Sequence, residues 1–302
     1  MRAVRKAIAT VALASIGLAA VACSGSTAAG TNKVSITAAF YPLAFVAEQL
    51  GGSAVNVTNL TPPGAEPHDL ELRPSDVVAI RNARIVLYLR GLQPAVDDAV
   101  KALQDRARAF DALSVITVRH SSDGSIDPHF WLDPAILARV AAVVEQRLEG
   151  AAPAEAGLFQ RNLTRLDAQL AELDRNFGTG LAHCARHEIF TGHAAFGYLG
   201  ARYGLRQIAI TGLNPEAEPS PRQLTKIIQL ARELHPTVIY AETLVSSRSV
   251  DAVARAVGAK VAVLDPIEGL LPAERAAGDD YLTLMRRNLR TLEEGLACQS
   301  SP

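Results

Sequence analysis

Neither sign of charge is in excess in this sequence, and the motifs of common nucleotide-binding and hydrolytic enzymes are missing. Its 30 Lys and Arg balance 31 Asp and Glu over 302 residues. Without clustered positive charge there is no electrostatic basis for binding nucleic acid. No Gly-x-Ser-x-Gly elbow, Walker loop or Rossmann fingerprint occurs. His is scarce as well, with seven in the chain, so their positions are more informative than their number.

The N-terminus has the pattern of a secretory signal. Arg2, Arg5 and Lys6 precede an apolar run over residues 7–22 that ends in small residues. Cys23 follows Ala-Val-Ala, which resembles the lipobox of bacterial lipoproteins, so Cys23 is a candidate for lipidation. Ordinary signal cleavage that leaves a free Cys is the alternative. We therefore expect a signal over 1–23.

The segment after the signal is rich in Gly, Ser, Thr and Ala, which predicts a flexible tether over 24–32. A protein held outside the membrane by an N-terminal lipid is the interpretation of these two segments together. In such an oxidising compartment, Cys184 and Cys298 could form a disulfide. Two unpaired buried thiols are the other possibility, because sequence alone gives no distance between them.

The rest of the chain, 49 % hydrophobic overall, is long enough for two domains. It alternates short β-branched runs with helical patterns, which predicts α/β architecture with parallel sheets. Four strands are predicted before the middle of the chain and four after it. They cover residues 34–40, 54–60, 84–89, 114–118, 188–191, 205–211, 237–241 and 260–264.

Helices are predicted between the strands, and several begin with Pro in the first turn. They cover residues 42–50, 74–82, 94–108, 221–234, 246–257 and 279–296. The middle of the chain has no strand signal, and Leu residues recur there at helical spacing. We therefore expect an N-terminal lobe over 33–150, one long rigid helix over 151–180, and a C-terminal lobe over 181–302. Each lobe would hold a four-stranded parallel sheet, with a site in the cleft between the lobes.

Three His residues and one Asp follow predicted strands. His68, His129 and His193 stand in turn-like settings, and Asp265 closes the last strand. Open α/β sheets bind ligands beyond the carboxyl ends of their strands. Two of these residues come from each lobe, so all four could converge in one cleft.

Three imidazoles and a carboxylate are also chemically consistent as a set, because both are standard zinc ligands. Calcium and magnesium prefer oxygen ligands, so a His-rich set favours borderline metals such as zinc. Pro residues beside His68, His129 and Asp265 would hold the ligands in place before the metal arrives.

Four motifs together resemble the solute-binding proteins of zinc and manganese ABC transporters. They are Pro-Gly-Ala-Glu-Pro-His68, Asp-Pro-His129-Phe-Trp-Leu-Asp-Pro, Thr-Gly-His193-Ala-Ala-Phe-Gly-Tyr and Asp265-Pro-Ile. The resemblance implies a metal held between two α/β lobes by His68, His129, His193 and Asp265. His193 implies Zn²⁺ rather than Mn²⁺, because manganese-selective members often have Glu there. The His-rich loop of many zinc members is absent, which leaves Mn²⁺ as the alternative.

Two further carboxylates could assist the site. Glu66 could ligate beside His68, although an acidic rim that attracts cations is the favoured role. Glu242, which ends the strand 237–241, could accept a hydrogen bond from a ligand His, as such carboxylates commonly do. A structural capping role for Glu242 is equally compatible with the sequence.

The sequence favours high-affinity zinc capture and delivery to an ABC permease, by a monomer anchored at the outer face of the plasma membrane. A secreted zinc-dependent hydrolase using the same ligands is the alternative. Catalytic zinc usually keeps a position open for water, whereas four protein ligands close the shell. We therefore expect a binding protein and not an enzyme.

Overall fold

The computed structural model describes residues 33–121 and 124–299. The predicted signal, the tether and Cys23 lie outside these residues. The described part is built on two four-stranded sheets whose strands are all parallel, with orders β2-β1-β3-β4 and β10-β9-β7-β8. This confirms the predicted fold class, two α/β lobes, each with its own sheet.

The first lobe contains four strands and the helices that cover them. The strands are β1 (Val34–Ala38), β2 (Val55–Asn59), β3 (Ile85–Tyr88) and β4 (Ala109–Asp111), and the helices are α1 (Tyr41–Gly51), α2 (Pro74–Asn82) and α3 (Pro94–Lys101). A small antiparallel hairpin follows, with β5 (Arg119–His120) and β6 (Ile126–Asp127). Helix α4 (Pro134–Ala151) completes the lobe.

The predicted strand over 114–118 is wrong. The fourth strand is β4, and residues Ala112–Val115 form a 3₁₀ turn capped by Asp111. Phe110 is buried beside β3 and fills the sheet position. The predicted helix over 94–108 is also too long, because α3 ends at Lys101 and a second 3₁₀ turn, Arg106–Arg108, leads into β4. Val115, Ile116 and Val118, which follow β4, instead pack partly buried against the core.

The second lobe begins after helix α5 (Ala156–Gly180), which lies within the predicted linking segment. Its strands are β7 (Glu188–Thr191), β8 (Arg206–Ala209), β9 (Val238–Ala241) and β10 (Lys260–Val263). Its helices are α6 (Gly197–Tyr203), α7 (Pro221–Leu234), α8 (Arg248–Val257), α9 (Pro272–Ala277) and α10 (Tyr281–Gly295). Cys184 and Cys298 form a disulfide that ties the segment after α5 to the segment after α10.

The hydrophobic core is continuous between the lobes. One cluster of buried side chains extends from β1 to the end of α10, and a smaller one lies under α7 and α8. Helix α5 packs against α1 and α4 of the first lobe and against α10 of the second. The lobes are therefore held by shared apolar packing as well as by one helix. Among the described residues, no helix is both long enough and apolar enough to cross a membrane.

Candidate metal centre

Three of the predicted ligands meet where strands of both sheets end. His68 follows β2, His129 follows the hairpin, and His193 follows β7. Together with Glu268, each offers one ligand atom, and these four atoms all lie within 4.8 Å of one another. His129 and His193 are fully buried and Glu268 is 1 % exposed. His68 is the most exposed of the four, at 11 % of its side chain.

The fourth member of the cluster is Glu268, and Asp265, which the sequence predicted as a ligand, lies outside the cluster. The Asp265 carboxylate accepts a 2.8 Å hydrogen bond from the backbone N–H of Ile267, whose φ is +56°. Asn288 bonds both backbone groups of Asp265, at 2.9 and 2.6 Å. Asp265 is thereby fixed as the cap of a tight turn. That turn brings the side chain three residues later to the imidazoles.

Glu268 is the centre of the group. Its Oε1 lies 3.0 Å from Nε2 of His129 and 3.4 Å from Nε2 of both His193 and His68. The Nε2 atoms of His129 and His193 are 3.3 Å apart. Burial opposes ionisation of Glu268, but the three imidazoles outweigh it and hold the pKa of this carboxyl well below its usual range. One anion and three imidazole nitrogens therefore face a common point.

Each part of the Asp-Pro-His-Phe-Trp-Leu-Asp-Pro segment has its own structural role. Asp127 Oδ1 accepts from the backbone N–H of His129 at 3.0 Å and lies 2.8 Å from its Nδ1. Phe130, Trp131 and Leu132 are fully buried. Asp133 then caps α4 by accepting from two of its first backbone N–H groups. The result is an imidazole whose Nδ1 is occupied and whose Nε2 is directed to Glu268.

His193 is oriented in the same way by Glu242. The carboxylate of Glu242 accepts from the His193 backbone N–H at 2.8 Å and contacts its Nδ1. A Cβ on residue 192 would lie 2.5 Å from Oε1 of Glu242, so this approach requires Gly192. Gln207 Nε2 donates to the His193 carbonyl at 2.8 Å. Of the two roles that the sequence allowed for Glu242, the structure has the contact with a His side chain of the cluster.

The protonation of the buried imidazoles follows from these carboxylates. Burial alone lowers the pKa of His193, but the charge and hydrogen bond of Glu242, together with Glu268, raise it to about 10. For His129 burial again acts downward, while Asp127 and Glu268 raise the pKa above its usual value. In the metal-free protein the His193 ring is therefore protonated at neutral pH, and the pKa of His129 is shifted in the same direction.

Glu66 lies at the edge of the cluster without belonging to it. Its Oε2 accepts from the backbone N–H groups of His68 and Asp69, at 2.9 and 3.4 Å. Its Oε1 is buried and has no hydrogen-bond partner among the residues that the structure describes. Burial first, and then the charge of Glu268, raise the pKa of Glu66 to about 7. Glu66 thus shapes the turn that presents His68.

The loops that carry the cluster are joined across the lobes. Gly64 N–H donates to the carbonyl of Leu270 at 2.8 Å, so the loop of His68 rests on the loop of Glu268. A cavity of about 570 Å³ reaches His68 from outside and is lined also by Arg90, Leu92, Ile126 and Leu213. His68 is the cluster residue that this cavity exposes.

The sequence interpretation missed Glu268 and the supporting role of Asp127. Asp127 stands two residues before His129, a spacing at which Asp readily bonds nearby backbone N–H groups. That spacing was a usable signal. The sequence signal for Glu268 was weaker. Both Asp265 and Glu268 follow the last strand, and only the turn at Ile267 determines which of the two carboxylates faces the imidazoles. Trp131 lies in the core beside the cluster, with its ring centroid 5.2 Å from that of His129.

The fold and the site define a two-lobed α/β protein. Each lobe has a parallel sheet, a helix connects the lobes, and a candidate metal site of three imidazoles and a carboxylate lies between the sheets. Residues 36–295 match the family model described as "Zinc-uptake complex component A periplasmic". The chain belongs to this family, whose members are solute-binding transport proteins.

Individual relatives agree with the family assignment. The high-affinity zinc uptake system protein ZnuA of Bacillus subtilis is 30 % identical, over 95 % of this chain and 97 % of its own length. Zinc-binding protein AdcA of Streptococcus pyogenes is 32 % identical over 86 % of this chain. The chain spans about half, 56 %, of the length of that relative.

Solved structures show the same fold. The zinc-bound ZnuA-like domain of Streptococcus pneumoniae AdcA superposes with a TM-score of 0.77 at 29 % identity, covering 87 % of this chain and 99 % of that one. The laminin-binding protein Lmb of Streptococcus agalactiae, described as an adhesin with metal-transporting activity, gives 0.80 at 27 % identity, with 87 % and 99 % covered.

Proposed function

We propose that this protein captures zinc outside the plasma membrane and delivers it to an ABC permease. The observation that carries the proposal is the convergence of His68, His129, His193 and Glu268, whose ligand atoms lie within 4.8 Å of one another. Three imidazoles with one carboxylate form a donor set suited to zinc, and four protein donors complete a tetrahedral shell. The family and the names of its zinc-binding members support the same ion.

A filled shell favours capture over catalysis. Each nearby carboxylate also has a supporting contact: Asp127 with His129, Glu242 with His193, and Glu66 with the backbone at His68. A general base for hydrolysis would need to face a metal-bound water instead. Manganese remains the alternative ion, although its preference for oxygen donors fits one carboxylate among three imidazoles less well.

The location and partners of the protein belong to the same proposal. A lipid on Cys23 and the segment over 24–32 would hold a monomer at the outer face of the membrane, within reach of its permease. Radiolabelled palmitate supplied to cells should label the wild-type protein and not Cys23→Ser. Equal labelling of the two would overturn the anchor while leaving the metal site untouched.

The central experiment is calorimetric titration of chelator-treated protein with zinc, with manganese as competitor. We expect one zinc per chain and displacement of manganese by zinc. His193→Ala should lose most of the affinity. His187→Ala is the matched control, since His187 is an exposed residue of the same lobe. Absence of zinc binding at neutral pH, or equal behaviour of the two variants, would contradict the proposal.

A further inference from the structure

A single hydroxyl group of the second lobe holds both strands of the first-lobe hairpin. Tyr198, at the start of α6, accepts a hydrogen bond from the backbone N–H of Arg119 at 2.9 Å. The same hydroxyl donates to the backbone carbonyl of Asp127 at 3.3 Å. Arg119 and Asp127 face each other in the hairpin register. Tyr198 therefore fixes the position of this residue pair from outside the hairpin.

Two further close approaches between α6 and the hairpin lie next to this hydroxyl. The guanidinium carbon of Arg119 lies 5.7 Å from the centroid of the Tyr198 ring, an arrangement that favours the cation. A Cβ on residue 197 would lie 2.5 Å from Oδ2 of Asp127, so the approach of α6 depends on Gly197. Tyr198 itself is 3 % exposed. The contact between α6 and Asp127 is thus close and largely shielded from water.

The hairpin that carries Asp127 is small. Its strands are two residues each and pair only with one another in the described sheets. A two-stranded ribbon of this size is marginally stable without packing against other elements. Yet Asp127 Oδ1 sets the orientation of His129, at 3.0 Å from its backbone nitrogen and 2.8 Å from Nδ1. The position of His129 therefore depends on what fixes Asp127.

We propose that Tyr198 is a positioning residue for the metal site, acting on His129 through Asp127; this rests on the proposed zinc-binding function. His193 and Tyr198 belong to one segment that runs from the end of β7 into α6. That segment supplies a ligand from the second lobe and also places the residue that orients a ligand of the first. The placement of His129 therefore depends on the packing of the second lobe against the hairpin.

The test is Tyr198→Phe, which keeps the ring and removes only the hydroxyl. Changing a residue that orients a metal ligand typically weakens binding about 10–100-fold, and we expect the lower end, about tenfold, because Tyr198 acts through Asp127. Zinc affinity is measured by competition with a chromophoric chelator. Cobalt(II) substitution adds a spectroscopic readout, since a displaced His129 changes the visible absorption bands of the bound ion.

A double-mutant cycle separates this role from a general structural one. In an Asp127→Ala background the hydroxyl has no carboxylate to position, so Tyr198→Phe should cause no further loss. Gly197→Ala, which pushes the Asp127 carboxylate away and leaves the hydroxyl in place, should weaken zinc binding to a similar extent. The matched control is Tyr203→Phe, which removes a hydroxyl from the same helix whose bond goes to Asp174 on α5. It should leave zinc affinity and the cobalt spectrum unchanged.

Wild-type affinity in Tyr198→Phe, or an equal loss with and without Asp127, would overturn the inference. An equal loss in Tyr203→Phe would do the same. Failure of the wild-type protein to bind zinc would be a different result, because it would remove the proposed function and this inference with it.

Discussion

The indole Nε1 of Trp131 donates a 2.7 Å hydrogen bond to the backbone carbonyl of Pro266. Trp131 follows His129 in the first lobe, and Pro266 precedes Glu268 in the second. The carbonyl of Trp131 in turn accepts a 2.6 Å bond from the hydroxyl of Tyr281. The turn that carries one candidate ligand and the loop that carries another are therefore connected directly beneath the site.

Trp131→Phe should destabilise the protein and weaken zinc binding together. The change leaves the buried Pro266 carbonyl without its donor and opens space in the core, and these effects sum to about 2–4 kcal/mol in the free energy of unfolding. Urea denaturation of the metal-free protein measures this loss. Phe130→Leu, a substitution in the same turn that breaks no side-chain hydrogen bond, is the control. Equal zinc affinity in wild type and Trp131→Phe would contradict the coupling.

Glu268→Gln and Asp265→Asn should differ sharply. The first removes the anion at the centre of three imidazoles, and we expect zinc affinity to fall at least about a hundredfold, or about 2.7 kcal/mol. The second keeps an oxygen that can accept from Ile267, so the turn and the affinity should be retained. Isothermal titration of both variants checks this. The reverse ranking would restore Asp265 as the carboxylate ligand.

Zinc binding should release protons at neutral pH. His129 and His193 have raised pKa values in the metal-free protein, to about 10 for His193, and metal can bind only the unprotonated nitrogen. Zinc affinity should therefore continue to rise with pH above 7, well beyond the pKa of about 6.5 of an ordinary His. Calorimetry in buffers of different ionisation enthalpy counts the protons. No proton release at pH 7 would contradict these protonation states.

Asp174→Asn should destabilise the protein at neutral pH and have little effect in acid. The hydrogen bond from Arg202 outweighs partial burial and lowers the pKa of Asp174 in the folded protein. A carboxyl whose pKa is lowered by folding contributes stability above its unfolded pKa of about 3.9, and this is lost as pH falls through the folded value. Urea denaturation of both proteins from pH 7 downward measures the difference. A pH-independent difference would count against the ion pair as its cause.

The sequence was sufficient for the architecture because each element carries its own local signal. Pro at the first turn marks the start of α2 and of α7, and the predicted bounds of both helices are the observed ones. The predicted bounds of β7 are also the observed ones. The fourth strand failed for a different reason. Residues 114–118 have higher β propensity than Ala109–Asp111, but only the latter lie beside β3, and pairing in the sheet decides the matter.

The site divided along similar lines. His193 was found because it directly follows the buried strand β7, so the sheet itself places it. His129 was predicted after a strand that does not form, and it follows the hairpin instead. Glu268 was missed because its position depends on the backbone at Ile267 and on bonds from Asn288 to Asp265, a residue 23 positions away along the chain. Contacts of that range leave no local pattern. The support of the hairpin by Tyr198 depends on a still longer separation, 71 residues between Tyr198 and Asp127.

The core shared by the two lobes has a consequence for how the chain folds. Neither lobe has a hydrophobic core that is complete without the other. Phe40 and Trp131 of the first lobe belong to the same buried cluster as Tyr281 and Leu292 of the second. A fragment ending after α5 would expose that surface and should aggregate rather than fold. Helix α10 is thus needed to bury residues of α1, where Phe45 packs against Tyr281. The two lobes can therefore reach their native packing only after α10 is available.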